Sequence, residues 1–371
     1  MVSLITVLRG IADPRTGNAR RHDLLEVLTI ALVASICGCD SCVDFADFAE
    51  DREALLREFL VLENGLPSHD TFSRLFRLLD PSSLSSAFGR FVEALGADGA
   101  GVIAIDGKTL RRSFDRAAAK SPLHVVTAFA AEAQLVLGQT AVGAGENEIV
   151  AARALLEMID IRGALITADA IHCNRDTGRA VLDRDGDYLF ALKNNRPTTL
   201  RDVEDYVSDP DADIGETLTT TDADHGRIEI RRHVVVHDVD WLFAGRPDRD
   251  HPAMPGLSTI ARVEAEVTRE GRTSRSVRYY LSSAILSVQA FAHAVRAHWA
   301  IENGLHWVLD MAFDEDRARA RKDHAAENLA TIRKLALYVL KTARPDISIR
   351  RKRKRSGWSD EFAKTVIAQM R

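Results

Sequence analysis

The chain has 371 residues, 46% of them hydrophobic and 28% charged, the balance of an ordinary globular protein built on two or three cores. Its net charge of −5 does not announce a nucleic-acid binder. The longest apolar run, Leu24–Cys37, contains Glu26 and is too short to span a membrane. The opening MVSLITVLRG lacks the basic region, long apolar core and cleavage site of a secretory signal, so a cytoplasmic protein is expected.

Residues 1–95 read as an all-helical N-terminal domain. Leu24–Cys37 is a buried helix, and Arg52–Leu62 is amphipathic. In LPSHDTFSRLFRLLD, Pro67 and Ser68 mark a turn, Ser68 or Asp70 supplies a cap, and Phe72, Leu75, Phe76 and Leu79 fall at helical spacing. That spacing suits a DNA-binding helix-turn-helix and a plain helical bundle equally. Cys37, Cys39 and Cys42 cluster in CGCDSC, but no paired CxxC follows to complete a zinc site, so reduced thiols are expected. GADGAG, Gly96–Gly101, reads as a linker.

The periodicity then changes. Over residues 101–207, Val102–Asp106, His124–Ala130, Leu135–Val142, Ala164–Thr167 and Tyr188–Leu192 read as strands. The second and third are joined by a turn at Glu132–Gln134, and helices fall at Asn147–Ile159 and Arg175–Leu182. The order β-β-β-α-β-α-β implies an α/β fold, a mixed sheet covered by helices. Asp202–Asp224 holds nine acids and no Lys or Arg and breaks the pattern. Alternating runs at Arg227–His237, Arg262–Val267 and Ser276–Leu281 make residues 208–286 a β-rich insertion. Residues 287–345 return to helix: Ser287 caps a long one, and His324–Lys341 is amphipathic. In the segment Arg296–Lys322, Ile301, Leu305, Val308 and Ala312 form the buried stripe. Residues 346–371 are a basic tail beyond the ordered part. Its RRKRKR, Arg350–Arg355, either binds phosphates or is simply solvated.

Three acids stand out. Asp106 follows VIAI, Asp169 follows ALITA, and Glu302 lies at the edge of the buried helical stripe. Apolar runs expel carboxylates. Three converging on one sheet would repel each other unless a divalent cation neutralised them, and Mg²⁺, or Mn²⁺, suits an all-oxygen donor set. The chemistry implied is metal-dependent phosphoryl transfer on a nucleic-acid backbone, with Asp106, Asp169 and Glu302 both catalytic and metal-binding. Lys108, Arg111 and Arg112 follow the first acid, His172 and Arg175 the second, and Lys193 ends the fifth strand, where phosphate oxygens would be held. A zinc site of His298, Glu302 and His306 is a rival reading, although HExxH is absent. Asp314→Asn and Glu315→Gln, at acids beyond the stripe, are expected to affect cleavage much less than Glu302→Gln.

IAIDGKTLRRS, TADAIHCNRDT, LFALKNNRPTTL, HGRIEIRR and HWAIENGLHWVLDMAFDEDRARARKDHAAENLATIRKLAL resemble bacterial insertion-sequence DDE transposases of the H-repeat-associated type carried by Rhs elements. The resemblance covers nearly the whole chain. It implies a ribonuclease-H-like core with Asp106, Asp169 and Glu302 as the DDE triad and a β-rich insertion before the Glu helix. It also implies DNA cleavage and strand transfer, with DNA as partner: the terminal inverted repeats and the target, engaged by a homodimer. A non-catalytic DNA-binding remnant and a stand-alone structure-selective nuclease are the alternatives. The broader group's pattern Y-x₂-R-x₃-E-x₆-K is not kept, since Val295, His298 and Leu309 stand at its Tyr, Arg and Lys positions. Arg296, His306, Arg317, Arg319 and Arg321 are the candidate substitutes for those DNA contacts.

Overall fold

The computed structural model describes residues 4–94, 101–115, 121–143, 145–209, 211–212, 214–224, 226–244 and 253–370. The linker expected at Gly96–Gly101 falls almost wholly outside them. Helices α1 (Leu4–Leu8), α2 (Leu24–Ile36), α3 (Cys42–Asp51), α4 (Glu53–Leu56), α5 (His69–Leu78) and α6 (Pro81–Ala94) open the chain. Asp23 caps α2 by accepting from the Glu26 N–H, and Ser41 with Asp44 makes a reciprocal capping box on α3. Helix α2 is apolar all round and buried along nearly its whole length, as a helix between other helices must be. The apolar face read for α5 is the one it buries, through Phe72, Leu75 and Phe76.

Strands β1 (Gly101–Leu110), β2 (Leu123–Ala130) and β3 (Leu135–Ala141) follow, then α7 (Glu148–Met158), β4 (Ala164–Ala168), α8 (Arg175–Leu182), β5 (Asp187–Leu192) and α9 (Pro197–Ser208). β6 (Glu216–Asp224), β7 (Arg227–Val236), β8 (Thr259–Arg269) and β9 (Arg272–Ser282) come next. All nine strands join one sheet in the order β3-β2-β1-β4-β5-β9-β8-β7-β6. β1 pairs antiparallel with β2 and parallel with β4, and β4 pairs parallel with β5. β9 returns antiparallel to β5, so the insertion is an extension of the core sheet. The acidic stretch that seemed to break the pattern contains the second half of α9 and the edge strand β6. Thr217, Thr219 and Thr221 lie within that strand, and β-branched residues suit strands however acidic their neighbours.

Helix α10 (Val288–His298) starts at Ser287, whose side chain accepts from the Ala290 N–H, and packs against β1, β4, β6 and β7. The expected continuous helix is interrupted. Residues Glu302–His306 form a π-turn, followed by α11 (Trp307–Phe313), which ends at Asp314 in the left-handed region at φ 51°. A π-turn holds one extra residue per turn. Ile301 before it and Leu305 within it are buried, as read, but after it the buried positions are Leu309 and Phe313, while Val308 and Ala312 are only partly covered. The stripe has slipped by one residue. Two distant residues hold the turn: a Cβ at Gly304 would lie 2.3 Å from Gln134 Oε1, and Lys341 Nζ donates to the Gly304 carbonyl at 3.1 Å.

α12 (Ala325–Thr342) is buried through most of its length and packs on α2, α5 and α6. The basic tail is not a tail. Ile349–Trp358 and Asp360–Ile367 are helices α13 and α14, and the run RRKRKR splits by face. Arg350, Arg351, Lys354 and Arg355 are exposed, whereas Lys352 and Arg353 are buried. Lys352 Nζ donates to the Leu340 and Ala343 carbonyls at the end of α12. The Arg353 guanidinium donates to the carbonyls of Ser35, Cys39 and Ala312, pairs with Asp40 at 2.8 Å and stacks on Phe313. It thereby joins the ends of α2 and α11. Buried cations need such partners, and the sequence does not reveal carbonyls more than 300 positions away.

Candidate active site

The register of the sheet brings two of the acids side by side. Ile105 pairs with Ala168 across the parallel strands β1 and β4; Asp106 follows within β1, and Asp169 is the first residue beyond β4. Asp169 caps a short 3₁₀ turn, Ala170–His172, at the carboxyl end of β4. Glu302 opens the π-turn, in the element that follows α10 across these strands. Asp169 and Glu302 line one cleft with Lys193, Arg278, His298 and Trp299. Burial and then the field of Asp106 raise the Glu302 carboxyl above its ordinary pKa, Asp169 adds to the rise, and His306 and Arg278 oppose it. Its side chain has no hydrogen bond or ion pair with any described residue.

The other two acids face nitrogen groups of the protein itself. His306 Nε2 lies 3.1 Å from Asp106 Oδ2, and Lys193 Nζ lies 3.6 Å from Asp169 Oδ1. His298 accepts from or donates to Thr167 Oγ1 at 3.0 Å. Burial depresses its pKa although Asp106 and Asp169 pull it upward. Among the described residues no three His, Cys, Asp or Glu side chains stand close enough, as placed, to hold a metal ion. This applies to the cysteine cluster, to the trio His298, Glu302 and His306, and equally to Asp106, Asp169 and Glu302. Burial pushes the thiols of Cys37 and Cys39 up to about 12 and that of Cys42 up to about 11, which suits inert protonated thiols rather than thiolate ligands.

The expected phosphate-holding residues divide. Lys108 is 13% exposed and bonded to Asp310 at 2.5 Å and Glu315 at 3.2 Å. It clamps β1 to the segment that follows Glu302 and is not available to substrate as placed. His172 is 1% exposed and meets Glu148 Oε1 at 3.0 Å. Glu148 also meets His124 Nε2 at 2.8 Å, tying the Asp169 turn to β2 beneath the acids. Gly107 makes room for this cluster, since a Cβ there would lie 2.4 Å from His124 Nε2. Nothing marked Glu148 in the sequence, because an acid in a helix's first turn is ordinary. Lys193 reaches the cleft and His306 reaches Asp106. Arg296 stands on α10 and pairs with Asp222. Arg111 is exposed, 3.6 Å from Asp316. Arg112 presents its carbonyl to Arg321, which also covers Phe114. Arg317 and Arg319 are exposed on the segment after α11. Arg278 was not singled out in the sequence, yet it lies 5.0 Å over the Trp299 ring and enters the cleft.

The family described as Transposase DDE domain matches residues 97–340, and the one described as DDE_Tnp_1-associated matches residues 5–92. The chain therefore belongs to the DDE transposase family. It is 34% identical to the Escherichia coli K12 protein named "H repeat-associated putative transposase YhhI", over 96% of this chain and 96% of that one. It is 33% identical to "Putative transposase YncI" of Escherichia coli O157:H7, over 99% of this chain and 94% of that one. A structure of a piggyBac transposase synaptic complex with hairpin DNA aligns over 98% of this chain and 76% of that one, with 12% identity and a TM-score of 0.43. No helix among the described residues is long and apolar enough to cross a membrane.

Proposed function

We propose that this protein cleaves DNA strands at the ends of an insertion sequence and joins them to target DNA, with Asp106, Asp169 and Glu302 as the catalytic acids. The observation that carries the reading is geometric: Asp169 and Glu302 line one cleft, and Asp106 follows the residue of β1 that pairs with the last residue of β4, just before Asp169. An unpaired carboxyl whose ionised form is disfavoured by burial and by two nearby acids is relieved by a cation. The donor set is all oxygen, which fits Mg²⁺ or Mn²⁺. A divalent ion bound there supplies Lewis-acid polarisation of the phosphodiester and lowers the pKa of water.

The protein's own groups divide the remaining work. Asp106, Asp169 and Glu302 would hold the ion once His306 and Lys193 release the two aspartates. Lys193, more than half exposed, is then free to contact a phosphate oxygen beside the scissile bond. His298 is held by Thr167 and biased toward its neutral form, so it adds no fixed positive charge against the incoming ion. The Lys108 clamp keeps α11, and with it Glu302, in register with β1. The mixed order β3-β2-β1-β4-β5 supports a ribonuclease-H-like core. An element has two ends and each chain has one such site, so a homodimer on DNA follows.

The test is nicking of a duplex carrying the inverted repeats that flank the gene, with Mg²⁺ or Mn²⁺. Glu302→Gln keeps size and helix propensity but binds a hard cation poorly. Cleavage is expected to fall by orders of magnitude, because the ion supplies much of the barrier lowering, while end binding persists. Wild-type-like cleavage by the variant would sink the assignment. Binding without cleavage by the parent under both metals would favour a remnant that only binds DNA.

A further inference from the structure

The insertion sheet has one face that the catalytic reading leaves unused. Side chains alternate along a strand, and the pairing of β7, β8 and β9 puts Arg227, Glu229 and Arg231 on the same face as Ala265, Val267, Ser276 and Arg278. The middle of this face is floored by small residues, Ala265 and Ser276, which leaves an open trough of about 600 Å³. Arginines stand round it: Arg227 and Arg231 from β7, Arg278 from β9 and Arg296 from α10. Their counter-charges are Glu229 and Asp222. Glu229 is 8% exposed and takes Arg227 on one oxygen at 2.9 Å and Arg231 on the other at 2.8 Å. Asp222 pairs with Arg296. Four guanidiniums against two carboxylates leave the trough basic on a chain whose net charge is −5.

The trough leads to the acids. Arg278, Tyr280, Val295 and Trp299 line both it and the cleft that holds Asp169 and Glu302. Arg278, stacked on Trp299, stands at the junction. We propose that this trough is a binding site for the phosphodiester backbone of the DNA being processed, which it leads onto Glu302. Glu229 presets the spacing of two guanidiniums, so they meet consecutive phosphates without first being ordered, and the small floor lets the backbone approach the sheet. Arginine is the residue suited to this role, since its fork matches phosphate oxygens. The proposal rests on the DNA-processing reading above.

The experiment measures binding of a mixed-sequence duplex of about 30 base pairs and of one of its single strands, by fluorescence anisotropy across a salt series. The variants are Arg231→Gln with Arg278→Gln, and a control of equal charge loss, Arg162→Gln with Arg184→Gln, on the α7–β4 and α8–β5 loops. Arg296→Gln alone, at an exposed position, covers the case in which the double variant does not fold. Loss of two phosphate contacts should lower the slope of log affinity against log salt by about 1.8 for duplex and about 1.4 for single strand. Affinity should fall about tenfold or more at low salt, and Arg296→Gln should lower the slope by about half as much. The control should bind like the parent. Unchanged slopes in the trough variants, with DNA bound by the parent, overturn this proposal and leave the catalytic reading standing. No binding of either DNA by the parent overturns both. Equal displacement by polyglutamate of matched charge would reassign the trough to an acidic peptide and overturn the proposal.

Discussion

Glu315→Gln tests how α11 and its carboxylate are anchored. The Glu315 carboxylate is 2% exposed, accepts from Lys108 at 3.2 Å and lies 3.8 Å from the Arg333 guanidinium, which is itself 5% exposed. Burial alone would raise its pKa, but Lys108, Arg333 and Lys334 outweigh burial and hold it below the ordinary value. Breaking a buried pair costs about 3–5 kcal/mol. Gln keeps the shape, Lys108 keeps Asp310, and Lys334 can shed its proton, since burial already brings it down to about 8. The lower end, about 3 kcal/mol, is therefore expected. At about 2 °C per kcal/mol for large domains, the melting temperature should drop by about 6 °C. The sign of the pH dependence is also fixed. A depressed carboxyl stabilises above its unfolded pKa, and that contribution is lost as pH falls through the folded value, so parent and variant should converge in acid. Asp314→Asn is the comparator. Asp314 is 54% exposed in the left-handed region, which Asn tolerates, and should change stability by less than about 0.5 kcal/mol. Calorimetry at neutral and acid pH decides: a Glu315→Gln variant melting within a degree of the parent would refute the network.

Two further outcomes follow from packing. Gly304→Ala places a methyl group 2.3 Å from Gln134 Oε1; with overpacking costs of about 1–3 kcal/mol, the protein should still fold but lose DNA cleavage well beyond its loss of stability. Full nicking activity would show that the π-turn does not position Glu302. Deleting residues 350–371 should unfold the protein or lower its melting point sharply, because Arg353 and Lys352 leave with the segment, whereas neutralising exposed Arg350, Arg351 and Lys354 should leave stability unchanged. A truncated chain that melts like the parent would show that α13 is dispensable.

The core strands were legible because their runs are short and bounded by turn residues, and so was the place of Asp169 just past β4, because a carboxylate inside an apolar run is costly. The π-turn was not. Ile301 and Leu305 fit a straight helix and a π-turn alike, and the choice between Val308 and Leu309 is made by Gln134 and Lys341, remote in sequence. Lys108 illustrates the same limit. Beside Asp106 a lysine looks like a phosphate ligand, and only the fold shows it turned to Asp310 and Glu315. In RRKRKR the charges were visible, but the helical face that buries two of them depends on carbonyls from three other helices.

Arg353 also sets a schedule. Helix α2 and its apolar surface leave the ribosome early, yet the guanidinium that caps Ser35 follows 318 positions later by residue number. At about 5–20 residues per second, that surface waits roughly 15–60 s for its last partners. A chain released before α13 would leave the end of α2 at Ser35 uncovered, and premature termination near the 3′ end of the message should yield insoluble protein rather than a shortened DNA binder.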